Sequence, residues 1–194
     1  MLFRSMVPDG RGGSRPSEVL YAHPPGDHGL AAVTVERGAD RTPVATGLTA
    51  GRAAIHLVKL TGSAFAAFAR DGYTTLPERR DRTLHTWIDI GWRYLDPAAG
   101  IDPDPARYVG SPQVADLAAA VFDAFVSLSI QHLVHEIGLR MLERFPGIDD
   151  VTFEAHNRTW DLGQGSPESE PGSVPKVFTD PRPPYGRIGL VMRR

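Results

Sequence analysis

The chain has 194 residues, a net charge of −2 at pH 7 and no cysteine; that length fits one domain with room for a loose arm. The charge gives no pull toward nucleic acid or an acidic membrane surface, and the lack of cysteine excludes disulfides, thiolate catalysis and cysteine-held metal sites. No apolar run approaches a membrane span and the first residues lack the h-region of a signal peptide, so a cytoplasmic protein with neither nucleic acid nor membrane as partner is expected.

Residues 1–28 are rich in Gly, Pro and Arg, as in "DGRGG" and "HPPGDHG", and read as an irregular arm outside a folded unit at 29–194. "LAAVTVERG" alternates as a strand, and so does "RAAIHLVKLTG", with Ile55, Leu57 and Lys59 on one side. "GSAFAAFARDGYTTLPERRDR" follows, broken by the turn signals Asp71-Gly72 and Leu76-Pro77, so it reads as loop or short helix. "RTLHTWIDIGWRYL" then alternates well, which predicts a half-buried strand of an antiparallel sheet. Trp87 and Trp92 fall on opposite faces of it and cannot form one stacking platform.

From Gln113 to Phe145 the period becomes helical: Val114, Leu117, Val121 and Phe125, then Ile130, Leu133, Ile137 and Met141. Ser127 and Ser129 interrupt the run, so it is either two helices or one bent helix, and Pro146-Gly147 ends it. "DDVTFEAH" predicts a strand, residues 162–184 a Pro/Gly/Ser-rich loop, and "GRIGLVMRR" a last strand. The sum is an α+β fold: a four-stranded antiparallel ββααββ sheet with two helices packed on one face and two raw sheet edges.

Three segments carry chemistry-bearing residues. Phe65 offers a ring to stack on a planar guest, and Arg82 a planar fork for a carbonyl or anionic nitrogen edge. Gln131, in the first turn of a helix, can both donate to and accept from a lactam edge. Asn157 and Thr159 follow a strand, where an amide can hold a small polar molecule. Taken singly, each has a bland reading: a core phenylalanine, a surface ion-pair partner, a first-turn residue and a turn former. "HLVHE" places His132 and His135 one turn apart, but it is not the H-E-x-x-H pattern and no third ligand is identifiable; helix-surface histidines are the better reading, and no metal site is assigned.

Together the segments resemble one family. "LVKLTGSAF", the motif Y-T-T-L-x-E-x-x-D-R, "SIQ", "NRTWD" and "DPRPPYG" are similar, in consistent order over roughly residues 30–194, to the C-terminal half of urate oxidase (uricase). The resemblance implies the tunnelling fold (T-fold), in which sheets of several ββααββ units join into a barrel with helices outside. It implies that Phe65 stacks on urate and that Arg82 and Gln131 grip its opposite polar edges. The backbone N–H of Ile130 adds a hydrogen bond, and Asn157 sits over the ring where dioxygen or water binds. Many members have His two places after that Asn; here Thr159 stands there, a departure in the proton relay. The implied reaction is cofactor-free oxidation of urate by dioxygen to 5-hydroxyisourate and hydrogen peroxide, in purine breakdown.

Family members carry two such units, and the first supplies a catalytic Lys and a Thr across a subunit interface. Lys59 and Lys176 are the only lysines here; Lys59 matches a structural lysine of the second unit, and Lys176 lies in the late loop. The expected partners are therefore urate, dioxygen and an oligomer made of further copies or of an N-terminal uricase half. The other reading is a noncatalytic urate- or purine-binding or assembly subunit, from a truncated or decayed uricase.

Overall fold

The computed structural model describes residues 5–17, 19–22, 26–75, 77–100, 107–158 and 187–194. They form β1 (Ser5–Pro8), β2 (Ser14–Ser17), β3 (Leu20–Ala22), β4 (His28–Arg37), β5 (Pro43–Lys59), β6 (Leu84–Tyr94), a 3₁₀ turn at Pro97–Gly100, α1 (Ser111–Ala124), α2 (Ile130–Arg144), β7 (Ile148–Arg158) and β8 (Ile188–Arg193). The main sheet is antiparallel with strand order β3-β5-β6-β7-β8, and β4 also pairs with β5.

Alternation decides which face is buried. Leu84, Ile88, Ile90, Trp92 and Tyr94 of β6 enter the core with Ile55 and Leu57 of β5 and Val151, Phe153 and Ala155 of β7. The two helices cover that face: Val114, Leu117, Ala118 and Phe122 of α1, then Ile130, Leu133, Val134, Ile137 and Met141 of α2, all point into it. Trp87 lies on the other face, as its odd position in β6 requires. Residues 113–145 hold two helices, not one bent helix: Ser129 caps α2, its side chain accepting from His132 N at 3.1 Å.

The sheet is larger than the sequence suggested, with six strands where four were expected. β5 runs 17 residues, so two short strands share one of its edges, β4 along residues 43–53 and β3 along 57–59. The segment read as an irregular arm also contains order. β1 and β2 form an antiparallel hairpin whose turn uses Gly10 and Gly12 at φ +75° and +95°, while Asp9 Oδ1 accepts from the backbone N–H of Arg11 and Gly13. Gly10 and Gly12, part of what made the segment read as irregular, are turn residues. The hairpin docks on α1, Val7 buried in the core and Arg15 ion-paired with Asp123. The loop expected at 162–184 lies outside the described residues. Among the described residues no helix is long and apolar enough to cross a membrane.

Candidate functional site

The antiparallel order brings the C-terminal end of β5, the start of β6 and the C-terminal end of β7 to one end of the sheet. α2 begins there too, because it runs into β7 through a short turn and packs back along that strand. The loop after β5 is pinned to this end. Ser63 pairs with Ser127 in a parallel bridge, Ala64 N donates to Ser127 O at 2.7 Å, and the two fully buried serine hydroxyls meet at 3.1 Å. Ala66 N reaches Leu128 O at 3.4 Å. The chain that carries Phe65 is thereby stitched to the residues just before α2.

Phe65 and Arg82 meet. Phe65 exchanges two backbone hydrogen bonds with Arg79, at 2.8 and 2.9 Å, and Arg82 N donates to Ser63 O at 2.7 Å. The Arg82 guanidinium carbon lies 5.1 Å from the centre of the Phe65 ring. Asp81, between them in the loop, accepts from Thr61 Oγ1 at 2.6 Å and from Gly62 N at 2.8 Å, so it fixes the loop and leaves its neighbour without a carboxylate. Among the described residues Arg82 forms no ion pair, and its buried Nε has no hydrogen-bond partner. Burial, and then the nearby Arg79, push its pKa below the ordinary arginine value. A desolvated cation with an idle donor beside a phenyl ring is costly unless an electron-rich guest satisfies it.

Gln131 is exposed in the first turn of α2, three residues beyond the carbonyl that Ala66 engages. Ile130 precedes it as the first helical residue, with its side chain in the core and its backbone N–H at the position where a helix has no internal acceptor. Asn157 pairs in register with Thr86 near the start of β6, at the same end of the sheet. Phe65, Arg82, Ile130, Gln131 and Asn157 therefore gather at one end of the fold, with direct side-chain contact between the first two. Thr159 lies outside the described residues.

Lys59 is not free for chemistry. It is 2% exposed, and its Nζ donates to Phe122 O and Phe125 O at 2.6 Å each, closing the carbonyl end of α1. Burial lowers its pKa, opposed by Asp123 and Asp81. His132 is likewise used locally: its Nδ1 faces Leu128 N at 3.3 Å and its ring stands edge-on to Phe125.

Two features escaped the sequence reading. The first is Phe68, stacked on Phe65 at 4.4 Å. The second is a row across the helix-free face: His56 stacks on Trp87 at 4.1 Å, Trp87 on His156 at 5.3 Å, and Arg158 lies 4.5 Å over Trp87. Strand parity carries a signal for the row, since His56, Trp87 and His156 are register partners. Burial, then Arg158 and Arg187, hold the His156 pKa below the ordinary 6.5, against Asp89 and Glu154. The unfolded chain therefore takes the proton first as pH falls. Thermal stability is expected to drop as pH falls through about 6.5, and the drop to shrink in His156→Phe, as read by melting curves across pH. An identical pH profile in the variant would remove His156 from that slope.

Comparison with known proteins adds the family. The family model for uricase matches residues 48–189. The uricase of Haloferax volcanii is 46% identical over 155 residues, covering 79% of this chain and 50% of that protein. The uric acid degradation bifunctional protein of Bacillus sp. (strain TB-90) is 40% identical over 171 residues, covering 88% of this chain and 33% of that protein. The chain thus spans half or less of the length of these two relatives. The solved urate oxidase of Bacillus sp. TB-90 superposes with a TM-score of 0.76 at 36% identity, over 100% of this chain and 63% of that one. The α+β sheet with its two helices is accordingly a tunnelling fold.

Proposed function

Since the chain belongs to the uricase family, we propose that it is the substrate-gripping unit of a urate oxidase, acting in the cytoplasm in purine breakdown, with residues 29–194 as the family unit. The observation that carries this reading is the Phe65–Arg82 pair, in which a guanidinium with an idle buried donor lies against a phenyl ring beside the start of α2. A flat, anionic, electron-rich purine meets both needs. It stacks on Phe65, accepts from Arg82 on one polar edge, and exchanges hydrogen bonds with Gln131 and the Ile130 N–H on the other. Asn157 holds dioxygen or water over the ring, and Thr159 takes the place of the family's relay histidine.

In the proposed reaction two electrons leave the urate anion for dioxygen, which with two protons becomes hydrogen peroxide. The hydroxyl of a water adds to the ring, giving 5-hydroxyisourate. The urate anion is itself the reductant, so the chain's side chains supply position and electrostatics. A second unit of the same fold completes the site, from a further copy or from an N-terminal uricase half, and the sheet edges at β4 and β8 are where neighbours join.

Purified protein is to be mixed with urate in air, alone and with the N-terminal half of a two-unit uricase. Loss of urate absorbance with one peroxide released per urate is expected in at least one mixture. Binding without oxygen consumption in both would instead make the chain a noncatalytic purine-binding or assembly subunit, and no binding in either would overturn the purine reading.

A further inference from the structure

A stacking ring works only if its plane is held. The backbone of Phe65 is fixed on both sides by Arg79, but those bonds leave the phenyl free to turn about its side-chain bonds. Neither Phe65 nor Phe68 belongs to the hydrophobic core or packs against it. Both are half-buried, and they stack on each other with centroids 4.4 Å apart and planes 20° from parallel. Rings three residues apart in a loop do not meet by default. Here they meet because Ala67 adopts φ +58°, the left-handed region that L-residues avoid, and so curls the chain back. The turn is held by Ala66 N on Leu128 O and by Ala67 N on Glu78 Oε1, each at 3.4 Å. Arg70 closes the outer side, its guanidinium carbon 4.8 Å from the Phe68 ring centre. Backbone strain held in place by surrounding bonds, next to an idle buried donor, points to a use for the strained geometry.

We propose that Phe68 is the backing ring of the purine site, a positioning residue that occupies one face of Phe65 and holds the other toward the guest. A phenyl ring has two faces; Phe68 takes one at stacking distance, which leaves the other, with the Arg82 guanidinium carbon 5.1 Å from the ring centre, for a purine. With the ring unable to tilt, the purine stacks at a set height, where the Arg82 fork and the Gln131 amide can reach its edges. Phe68 then contributes to affinity without touching the ligand. This inference rests on reading the site as a purine site.

The test is equilibrium dialysis of the full chain with urate under anaerobic conditions, alone and with the N-terminal half of a two-unit uricase, alongside melting temperatures. Phe68→Leu keeps the apolar bulk without the flat face, and is expected to raise the urate dissociation constant about three- to tenfold with the melting temperature unchanged. Phe68→Tyr restores the face, and is expected to bind within about twofold of the parent. Ala67→Val leaves both rings but disfavours the left-handed backbone, and is expected to weaken binding as Phe68→Leu does. Unchanged affinity in Phe68→Leu overturns the proposal while leaving the purine reading intact. Tighter binding overturns it as well, because Phe68 would then be blocking the face the purine uses. An unmodified chain that takes up no urate, either alone or with the N-terminal half present, overturns both.

Discussion

Arg82→Ala is expected to raise the urate dissociation constant about a hundredfold, roughly 3 kcal/mol, while leaving the fold as stable as before or more so. The two halves of that result come from one fact. The guanidinium is desolvated, next to Arg79, with no carboxylate partner among the described residues and a buried Nε that bonds to nothing. Such a charge costs the empty protein free energy, so its removal spares the melting temperature. In the proposed complex it would supply charge-assisted bonds to a polar edge of urate. Arg82→Lys should not rescue binding, because an ammonium is a point donor and not a planar fork. Anaerobic urate titration and a melting curve on the same samples read both parts, and an unchanged dissociation constant would remove Arg82 from the site.

The second large effect is on stability. Lys59→Ala is expected to cost roughly 3 kcal/mol, which lowers the melting temperature by about 10 °C for a domain of this size. The side chain is 2% exposed and its ammonium is engaged by Phe122 O and Phe125 O, with the two phenyl rings 5.2 and 5.9 Å away. Truncation leaves buried carbonyls without a donor and a void where the stem lay. Lys59→Met fills the void without the donor and should recover part of the loss. The damage is expected to spread to urate affinity, because the α1 end that Lys59 closes leads directly into Ser127, the residue that stitches the Phe65 loop in place. A melting temperature for Lys59→Ala equal to that of the parent would contradict the assignment of this lysine as a structural clamp.

Much of the fold was legible because its elements obey strong periodicities. β6 alternates from Thr86 to Tyr94, and the helical period over 113–145 is interrupted at Ser129, which the structure uses as a cap. The failures have local causes. β5 begins at Pro43, well before the expected start at Arg52, and holds Gly47 and Gly51 within the strand. A bulge between Arg52 and Ile55, with Ala54 at φ +59° and its N–H on Asp89 Oδ1 at 2.6 Å, resets the alternation there. The N-terminal hairpin was hidden by turn glycines in a short, charged segment.

The candidate site divides in the same way. Its members could be named from the resemblance, and strand register explains why Asn157 and the start of β6 share one end of the sheet. The contact between Phe65 and Arg82 depends on a loop held by backbone bonds to Arg79, Ser127 and Leu128, which no periodicity encodes. Phe68 was unreadable for a sharper reason. Its position rests on a left-handed alanine, and alanine carries no sequence signature for that conformation.

A crystal structure of the protein grown with urate in the absence of oxygen puts the spatial claim at stake. The account predicts the purine lying flat on Phe65, one polar edge on the Arg82 guanidinium and the other on Gln131. Urate bound elsewhere, or Arg82 and Gln131 directed to separate surfaces with the ligand present, would contradict it.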